Sequence, residues 1–569
     1  MQERGRLGII PSMPRRKKPD APPAEQARCS RKEILALALA LPVLDGAIYS
    51  LGFPPASLGA AVFVTPVLTL FAVRRLSLGW AALASFLYGL SGALAVAHWV
   101  YTAVHDHYHF GAIASAAFTV GVMGLVVSFY AGTPLLLWRA LCGRHGEEAP
   151  AWMRGRGRLA RPLLAASLWF LFEFLRCHGP LSMAWGVYGA ALVSYRVLSQ
   201  SADVFGVLGL TFFAALTAAS LYEAVEAWLA GNLSGALRRV AAAAGVVLIL
   251  WLYGAFRLAG VERSLAGTRA EAAPLRVAAI QANIAQEDRW QAELVPKNMG
   301  VHIEMSKEAA AQGADLIVWP ETAMNTYVLD EEGSYGRQIH QIALDSRADF
   351  LLGGPAVESA PDGTPRYYNT LFHLEPLAGL TDRYAKLVLL PFAEYNPLGK
   401  FSLLPHSKEV PRDYSPGPGP HVFEIRGARV GAFICFEALY PWLARDNVRA
   451  GATVLLNVSN DAWFGTTAAA AQHIEQARLR AIETRRYLVR SAGTGISAIV
   501  DPTGAYAGDR LEVFTRGILR GEVWPLREET LYARLGDWPL LAFCLGFSAL
   551  CALEALRRKF LGRRQEALE

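Results

Sequence analysis

Val430-Gly431-Ala432-Phe433-Ile434-Cys435-Phe436-Glu437 is an apolar run that ends abruptly in a thiol and a carboxylate. A short apolar run of this kind reads as a buried strand, and similar runs recur at 275–280, 315–319, 350–353 and 453–458. Between them, 294–311 (ended by Gly313), 335–345 and 468–486 carry helical patterns. Strands alternating with helices indicate α/β architecture. Two β-sheets with helices outside also accommodate 367–374, 384–390 and 496–501 as strands, and about 260 residues are ample for one core.

Three polar residues interrupt apolar runs where strands should end: Glu321 in Trp319-Pro320-Glu321, Lys386 in Tyr384-Ala385-Lys386-Leu387, and Cys435. Active sites of α/β folds lie at strand ends. Singly, each residue has a plain structural explanation. A lone cysteine is a small core hydrophobe, a glutamate after proline suits a turn or helix N-terminus, and a lysine is solvated. Together they supply the parts of covalent acyl transfer: a nucleophile, a base for its proton, and a cation for the charge that develops on a carbonyl oxygen. A free thiol has a pKa of about 8.5 and is largely protonated at neutral pH, so a neighbouring carboxylate base is needed.

The remainder of the chain has a different texture. Its 569 residues are 53% hydrophobic and 18% charged, and the mean hydropathy is +0.25. These values exclude a disordered chain or a collagen-like fibre and argue against an ordinary soluble protein. Crossing a bilayer as a helix takes about 20 apolar residues. Candidate spans lie near 34–52, 57–73, 79–99, 111–138, 162–177, 204–228, 239–258 and 538–556. With eight spans, the basic tail, Arg74-Arg75, the loop bearing Arg139, Arg144, Arg154, Arg156, Arg158 and Arg161, Arg238-Arg239, and the basic C-terminal end all alternate onto one face. The positive-inside rule makes that face cytoplasmic and puts the α/β domain outside the cytoplasm. The net charge of +6 is thereby explained by orientation in a membrane, without nucleic acid as a partner.

The expected organisation is a disordered basic tail (1–32), a membrane domain of seven spans (33–262), an extracytoplasmic catalytic domain (263–532), and an eighth span with a basic end (533–569). Of six cysteines, only Cys435 falls in the exported domain. In an oxidising space a single thiol is either inert or kept for reactivity. Glu173 and Arg176 end the 162–177 span and suit a position at the membrane interface. No internal repeat, Gly-rich phosphate loop or zinc-type Cys/His spacing occurs. His105, His107 and His109 alternate in a loop that reads as solvated or facing lipid headgroups, so neither a metal nor another cofactor is expected.

The order Glu321, Lys386, Cys435, in the contexts Trp-Pro-Glu, Tyr-x-Lys and Cys-Phe-Glu, resembles the Glu-Lys-Cys triad of the nitrilase (carbon-nitrogen hydrolase) superfamily. Placed between seven spans and an eighth, it resembles the apolipoprotein N-acyltransferase family of the bacterial inner membrane. The likeness extends to Lys386-x7-Glu394 within Leu-Pro-Phe-Ala-Glu-Tyr, to the stretch from Asn457 to Gly465 containing Trp463, and to Glu173-Phe-Leu-Arg176. The resemblance implies an αββα sandwich standing on a polytopic helical bundle, with the sandwich on the periplasmic side. It implies ping-pong transfer of an sn-1 acyl chain from phospholipid to the α-amine of a diacylglyceryl-cysteine on a lipoprotein. It assigns Glu321 as base, Cys435 as nucleophile, and Lys386 with the Phe436 backbone N–H as oxyanion stabilisers. Glu394 and Glu437 would support them, and Trp290, Trp463 and Arg486 would contact substrate, although Arg486 equally suits a helix cap. Phe436 stands where many members carry Tyr, which leaves any hydroxyl role there open. A membrane-tethered amidase using water and a non-enzymatic transporter or lipoprotein-binding protein are the competing readings.

Overall fold

Ser30 opens the first helix by a reciprocal cap: its Oγ accepts the Glu33 N–H at 3.2 Å, while Glu33 Oε2 accepts the Ser30 N–H at 2.6 Å. The computed structural model describes residues 30–145, 159–179, 182–324, 333–397, 399 and 413–566. The tail 1–29 and Arg154, Arg156 and Arg158 lie outside these residues. Among the described residues, five helices are long and apolar enough to cross a membrane: Arg31–Ser50, Leu78–Ala97, Ala202–Leu229, Leu233–Glu271 and Trp538–Arg557.

The other three expected spans are less regular. The 57–73 stretch is broken into Ala61–Val64 and Val67–Arg75, because Pro66 has no N–H to continue a helical ladder. The 111–138 stretch runs as Ala112–Val122 and Ser128–Cys142, joined through a π-helical Met123–Val127. Ala160–His178 carries Glu173 and Arg176 in its last two turns. They are 3% and 4% exposed and paired at 3.1 Å, because the Arg176 guanidinium also binds the main-chain carbonyls of Met183, Trp185 and Gly186.

Arginines gather at one end of the bundle. Arg74 Nη1 donates to Cys142 O at 2.8 Å, Arg139 Nη2 to Leu76 O at 3.2 Å and Arg144 Nε to Arg75 O at 3.1 Å. Arg75 and Arg161 pair with Glu226 and Glu223. Leu78–Ala97 starts beside this cluster and ends at the other side of the bundle, where the α/β domain sits. Leu233–Glu271, at 39 residues, is about 58 Å long at 1.5 Å per residue. It outruns the expected 239–258 span and carries Val261 and Leu265 into the core of the α/β domain. The expected boundary at 262/263 therefore falls inside an unbroken helix.

Among the described residues, that domain is built on eleven strands: β1 (Leu275–Gln281), β2 (Leu316–Val318), β3 (Asp349–Ser359), β4 (Pro365–Glu375), β5 (Gly379–Ala385), β6 (Val422–Ile425), β7 (Ala428–Ile434), β8 (Val454–Ser459), β9 (Leu488–Ala492), β10 (Ala498–Val500) and β11 (Gly517–Val523). They form two sheets, ordered β11-β1-β2-β3-β4-β5 and β10-β9-β8-β7-β6. β1 to β3 and β7 to β9 run parallel, and the flanking strands are antiparallel. Apolar side chains of both sheets, such as Val277, Val318, Leu351, Ile434, Leu456 and Val489, fill the space between them. Val295–Ala311 and Ser334–Ser346 cover the outside of the first sheet through Met299, Ile303, Ile339 and Ala343. Pro441–Arg449 and Ala469–Thr484 cover the second. The result is a four-layer αββα sandwich.

Ala469–Thr484 is covered on both faces, because the bundle packs against the side that would otherwise meet solvent. Its polar side chains are buried but used. Gln472 accepts from Trp185 Nε1 at 2.9 Å and donates to Pro54 O at 3.0 Å, Gln476 accepts from Gly186 N at 2.7 Å, and Glu483 accepts from Val207 N at 2.8 Å. Just beyond the helix, Arg485 (1% exposed) donates to Asp203 at 2.8 Å. The same carboxylate accepts from Arg257 at 2.6 Å and from Tyr253 Oη at 2.7 Å. Asp203→Ala leaves the buried Arg485 guanidinium without its counter-charge and should cost about 3–5 kcal/mol. A lowered thermal midpoint in detergent is the expected outcome, and an unchanged midpoint would show that this tie adds nothing.

Candidate active site

The carboxyl ends of parallel strands β2 and β7 point to one place. Trp319 and Pro320 carry the chain off β2 to Glu321, which is 5% exposed. Asn460 N donates to Glu321 Oε2 at 2.7 Å and Asn369 Nδ2 to Oε1 at 2.8 Å, so both carboxylate oxygens are held. Lys386 follows β5 directly. The expected strand over 384–390 stops at Ala385, because Leu387 N and Val388 N leave the sheet to donate to Glu437 Oε1 at 2.7 and 2.8 Å. Lys386 Nζ lies 2.9 Å from Glu394 Oε1 and 3.4 Å from Glu321 Oε1. Burial alone would favour a neutral amine, but Glu394 and Glu321 outweigh it and hold the ammonium well above the ordinary lysine value.

Cys435 directly follows β7 with φ at +55°, a left-handed conformation that side chains with a Cβ rarely adopt. Its carbonyl is fixed by Asn457 Nδ2 at 3.2 Å and His473 Nε2 at 3.2 Å. His473 Nδ1 in turn lies 3.0 Å from Arg490 Nη2 and 3.2 Å from Asp461 Oδ1. Burial and the Arg490 charge lower the His473 pKa, against the pull of Asp461. Phe436 lies in the first turn of Cys435–Leu439, where N–H groups have no intrahelical partner. Burial pushes the Cys435 thiol up, the Glu321 charge adds to this, and Lys386 pulls the other way. The resting sulfur is a thiol that needs a base.

Glu437 stands behind the site, fully buried. It accepts from Leu387 N, Val388 N, Ile434 N (2.7 Å) and Tyr384 Oη (2.9 Å), tying the Lys386 turn to the Cys435 turn. Burial raises its pKa to about 7, against the pull of Lys386 and those N–H donors.

Glu321, Lys386, Glu394, Cys435, Phe436, Trp290 and Trp463 all line one cavity of about 180 Å³. Its remaining wall is mostly apolar and comes largely from the bundle, including Trp99, Val104, Phe118, Val122 and Trp185. Tyr108 Oη donates to Phe392 O at 3.0 Å, and His107 packs on Trp463 at 5.0 Å, so the segment with the alternating histidines, π-helical over Ala103–His107 rather than the expected loop, roofs the cavity. Among the described residues, no group of three His, Cys, Asp or Glu side chains is arranged to hold a metal. Arg486 is a correction: it is not among the lining residues. Its guanidinium donates to the carbonyls of Ala452 (2.9 Å), Thr484 (3.0 Å) and Glu528 (2.5 Å), where it stabilises the helix end and the chain leading to the last span. Sequence reading missed Asn369 and His473, which carry no local signal, took in Asn460 only as part of the 457–465 stretch and without a role, and missed every bundle residue in the cavity wall.

The sandwich is a carbon-nitrogen hydrolase domain: residues 276–525 match the family model described as Carbon-nitrogen hydrolase. Residues 45–220 match the model of the Apolipoprotein N-acyltransferase N-terminal domain. An apolipoprotein N-acyltransferase of Geobacter metallireducens is 33% identical over 91% of this chain and 95% of its own length. One from Pseudomonas paraeruginosa is 30% identical over 92% and 96%. A solved amidase from Nesterenkonia sp. is 20% identical, with 47% of this chain and 94% of that chain covered at a TM-score of 0.34. The chain belongs to the apolipoprotein N-acyltransferase family.

Lys386→Met removes the cation that opposes the upward shift of the Cys435 thiol. The alkylation rate of Cys435 should fall at fixed pH, and its pH midpoint should move about one to three pH units higher. An unmoved midpoint would show that the Lys386 charge does not reach the sulfur.

Proposed function

We propose that this protein transfers a fatty acyl chain from the sn-1 position of a phospholipid to the α-amine of a diacylglyceryl-cysteine at the N-terminus of an apolipoprotein. The observation that carries this reading is the shared cavity: a thiol, a carboxylate and an ammonium at one end, apolar bundle side chains at the other. In the first half-reaction Glu321 takes the Cys435 proton and the thiolate attacks the sn-1 ester carbonyl. Lys386 and the Phe436 N–H stabilise the oxyanion. The C–O bond then breaks, lysophospholipid leaves with a proton from Glu321, and a thioester remains on Cys435. In the second, the lipoprotein amine attacks the thioester, Glu321 takes the amine proton, and the thiol is released with an amide formed. Trp290 and Trp463 flank the entry of both substrates, and Glu394 holds Lys386 in place.

Apolar walls protect a thioester from water until the second substrate arrives. This favours transfer over the alternative of a membrane-tethered amidase, whose second substrate is water. Neither a metal nor a nucleic acid enters the scheme.

The same reading has eight spans in the bacterial inner membrane, three of them irregular. The arginine cluster faces the cytoplasm by the positive-inside rule, and the sandwich faces the periplasm. The division is a basic tail, a membrane bundle, a catalytic sandwich whose strands run from Leu275 to Val523, and a final span with its basic end, with Leu233–Glu271 shared between bundle and sandwich.

Incubating purified protein with phospholipid labelled in its sn-1 chain should add one acyl mass to the peptide containing Cys435, and a diacylglyceryl-peptide acceptor should remove it. Cys435→Ala should abolish both events while leaving the thermal midpoint near that of the native protein. Glu321→Gln should slow thioester formation by about 10²–10⁴-fold. Acceptor acylation by Cys435→Ala would refute the scheme.

A further inference from the structure

A second, smaller cavity of about 30 Å³ lies deeper in the bundle. Val96, Ala97, Met123 and Val127 help to line it, and their helix neighbours Trp99, Val100 and Val122 line the catalytic cavity. Met183 and Trp185 line both, so these two side chains form the partition.

The two are held very differently. Trp185 is 3% exposed, donates through Nε1 to Gln472 at 2.9 Å, and packs on Trp99, Phe464 and His473 with ring centroids 4.7, 5.4 and 5.4 Å away. The main chain of Met183 is clamped to Arg176, with its N–H donating to Arg176 O at 2.9 Å and its carbonyl accepting from Arg176 Nε at 2.8 Å. Its side chain is half-buried, unbranched and without a polar anchor. The partition is thus one fixed ring beside one adaptable thioether. Arg176 borders the second cavity but is occupied with Glu173 Oε1 at 3.1 Å and with the main-chain carbonyls of Met183, Trp185 and Gly186.

We propose that Met183 sets the length of the acyl chain this protein transfers: the methyl end of the chain stops against the Met183 side chain, and the second cavity is closed-off space beyond that stop. The proposal rests on the acyl-transfer reading above, in which the carboxyl end of the chain is bonded to Cys435 and its tail extends into the apolar, bundle-lined part of the cavity.

The test supplies purified protein with an equimolar mixture of phosphatidylethanolamines whose sn-1 chains differ by steps of two methylenes, plus a diacylglyceryl-cysteine peptide. Mass spectrometry reads the chains found on Cys435 and on the peptide. Met183→Ala joins the cavities, and should shift the ratio of longer to native-length chain by roughly tenfold per two-methylene step accommodated. Met183→Val should shift it the same way by less, and the volume-conserving Met183→Leu should keep the native ratio. Adding Ala97→Leu, which narrows only the second cavity, should return Met183→Ala toward the native ratio. A native ratio in Met183→Ala, or in Met183→Val if the alanine variant does not fold, overturns the proposal. So does a shift that survives Ala97→Leu. If the native protein itself transfers no chain, the functional reading fails instead.

Discussion

The double burial of Ala469–Thr484 is the constraint on which the architecture depends. A helix on the outside of an αββα sandwich ordinarily turns a polar face to water. Here the second face meets the bundle, so each polar group on it must find a partner there or destabilise the fold by about 1–3 kcal/mol. Gln472, Gln476 and Glu483 find main-chain and indole partners in the bundle, and Arg485 finds Asp203. These contacts set the position of β7 relative to the bundle, and with it the depth at which Cys435 meets apolar side chains. His473 belongs to the same helix and holds the Cys435 carbonyl. Docking of the domain and conformation of the nucleophile are consequences of one element.

The electrostatics of the site divide the labour between groups. Lys386 is kept charged by two carboxylates, one of which, Glu321, also faces the thiol. Burial keeps the sulfur protonated at rest, which protects it from oxidation, since the thiolate is the species that reacts. Behind them, Asp461 carries its charge despite full burial, because Arg490 and His473 outweigh the cost and hold it well below the usual carboxylate range. Every charge near the nucleophile has a partner within hydrogen-bond reach.

Much of this was legible in the sequence because it is written in local patterns. Short apolar runs ending in Glu321 and Cys435 became the strand ends that carry the cavity, and the alternation of arginines matched the cluster at one end of the bundle. Lys386 was legible as a residue but not as a position, since strand β5 stops at Ala385 only because Glu437, some fifty positions away, captures the next two N–H groups. Arg486 misled for the reverse reason: a basic residue at a helix end looks the same whether it binds substrate or main-chain carbonyls. Asn369, His473 and Met183 lie in segments whose periodicity describes only their own strand, helix or loop. Their importance arises from which distant segment they face, and no window of the sequence records that.

Leu233–Glu271 crosses from the bundle into the sandwich without a hinge, and its length is about twice the hydrocarbon thickness of a bilayer. A domain mounted on a continuous rod does not tumble on a tether, so the nucleophile keeps one height above the bundle. Both reactants are themselves held at fixed depth by their own hydrocarbon anchors. Encounter then reduces to lateral diffusion in a plane, and a mismatch of altitude excludes a molecule as firmly as a mismatch of shape.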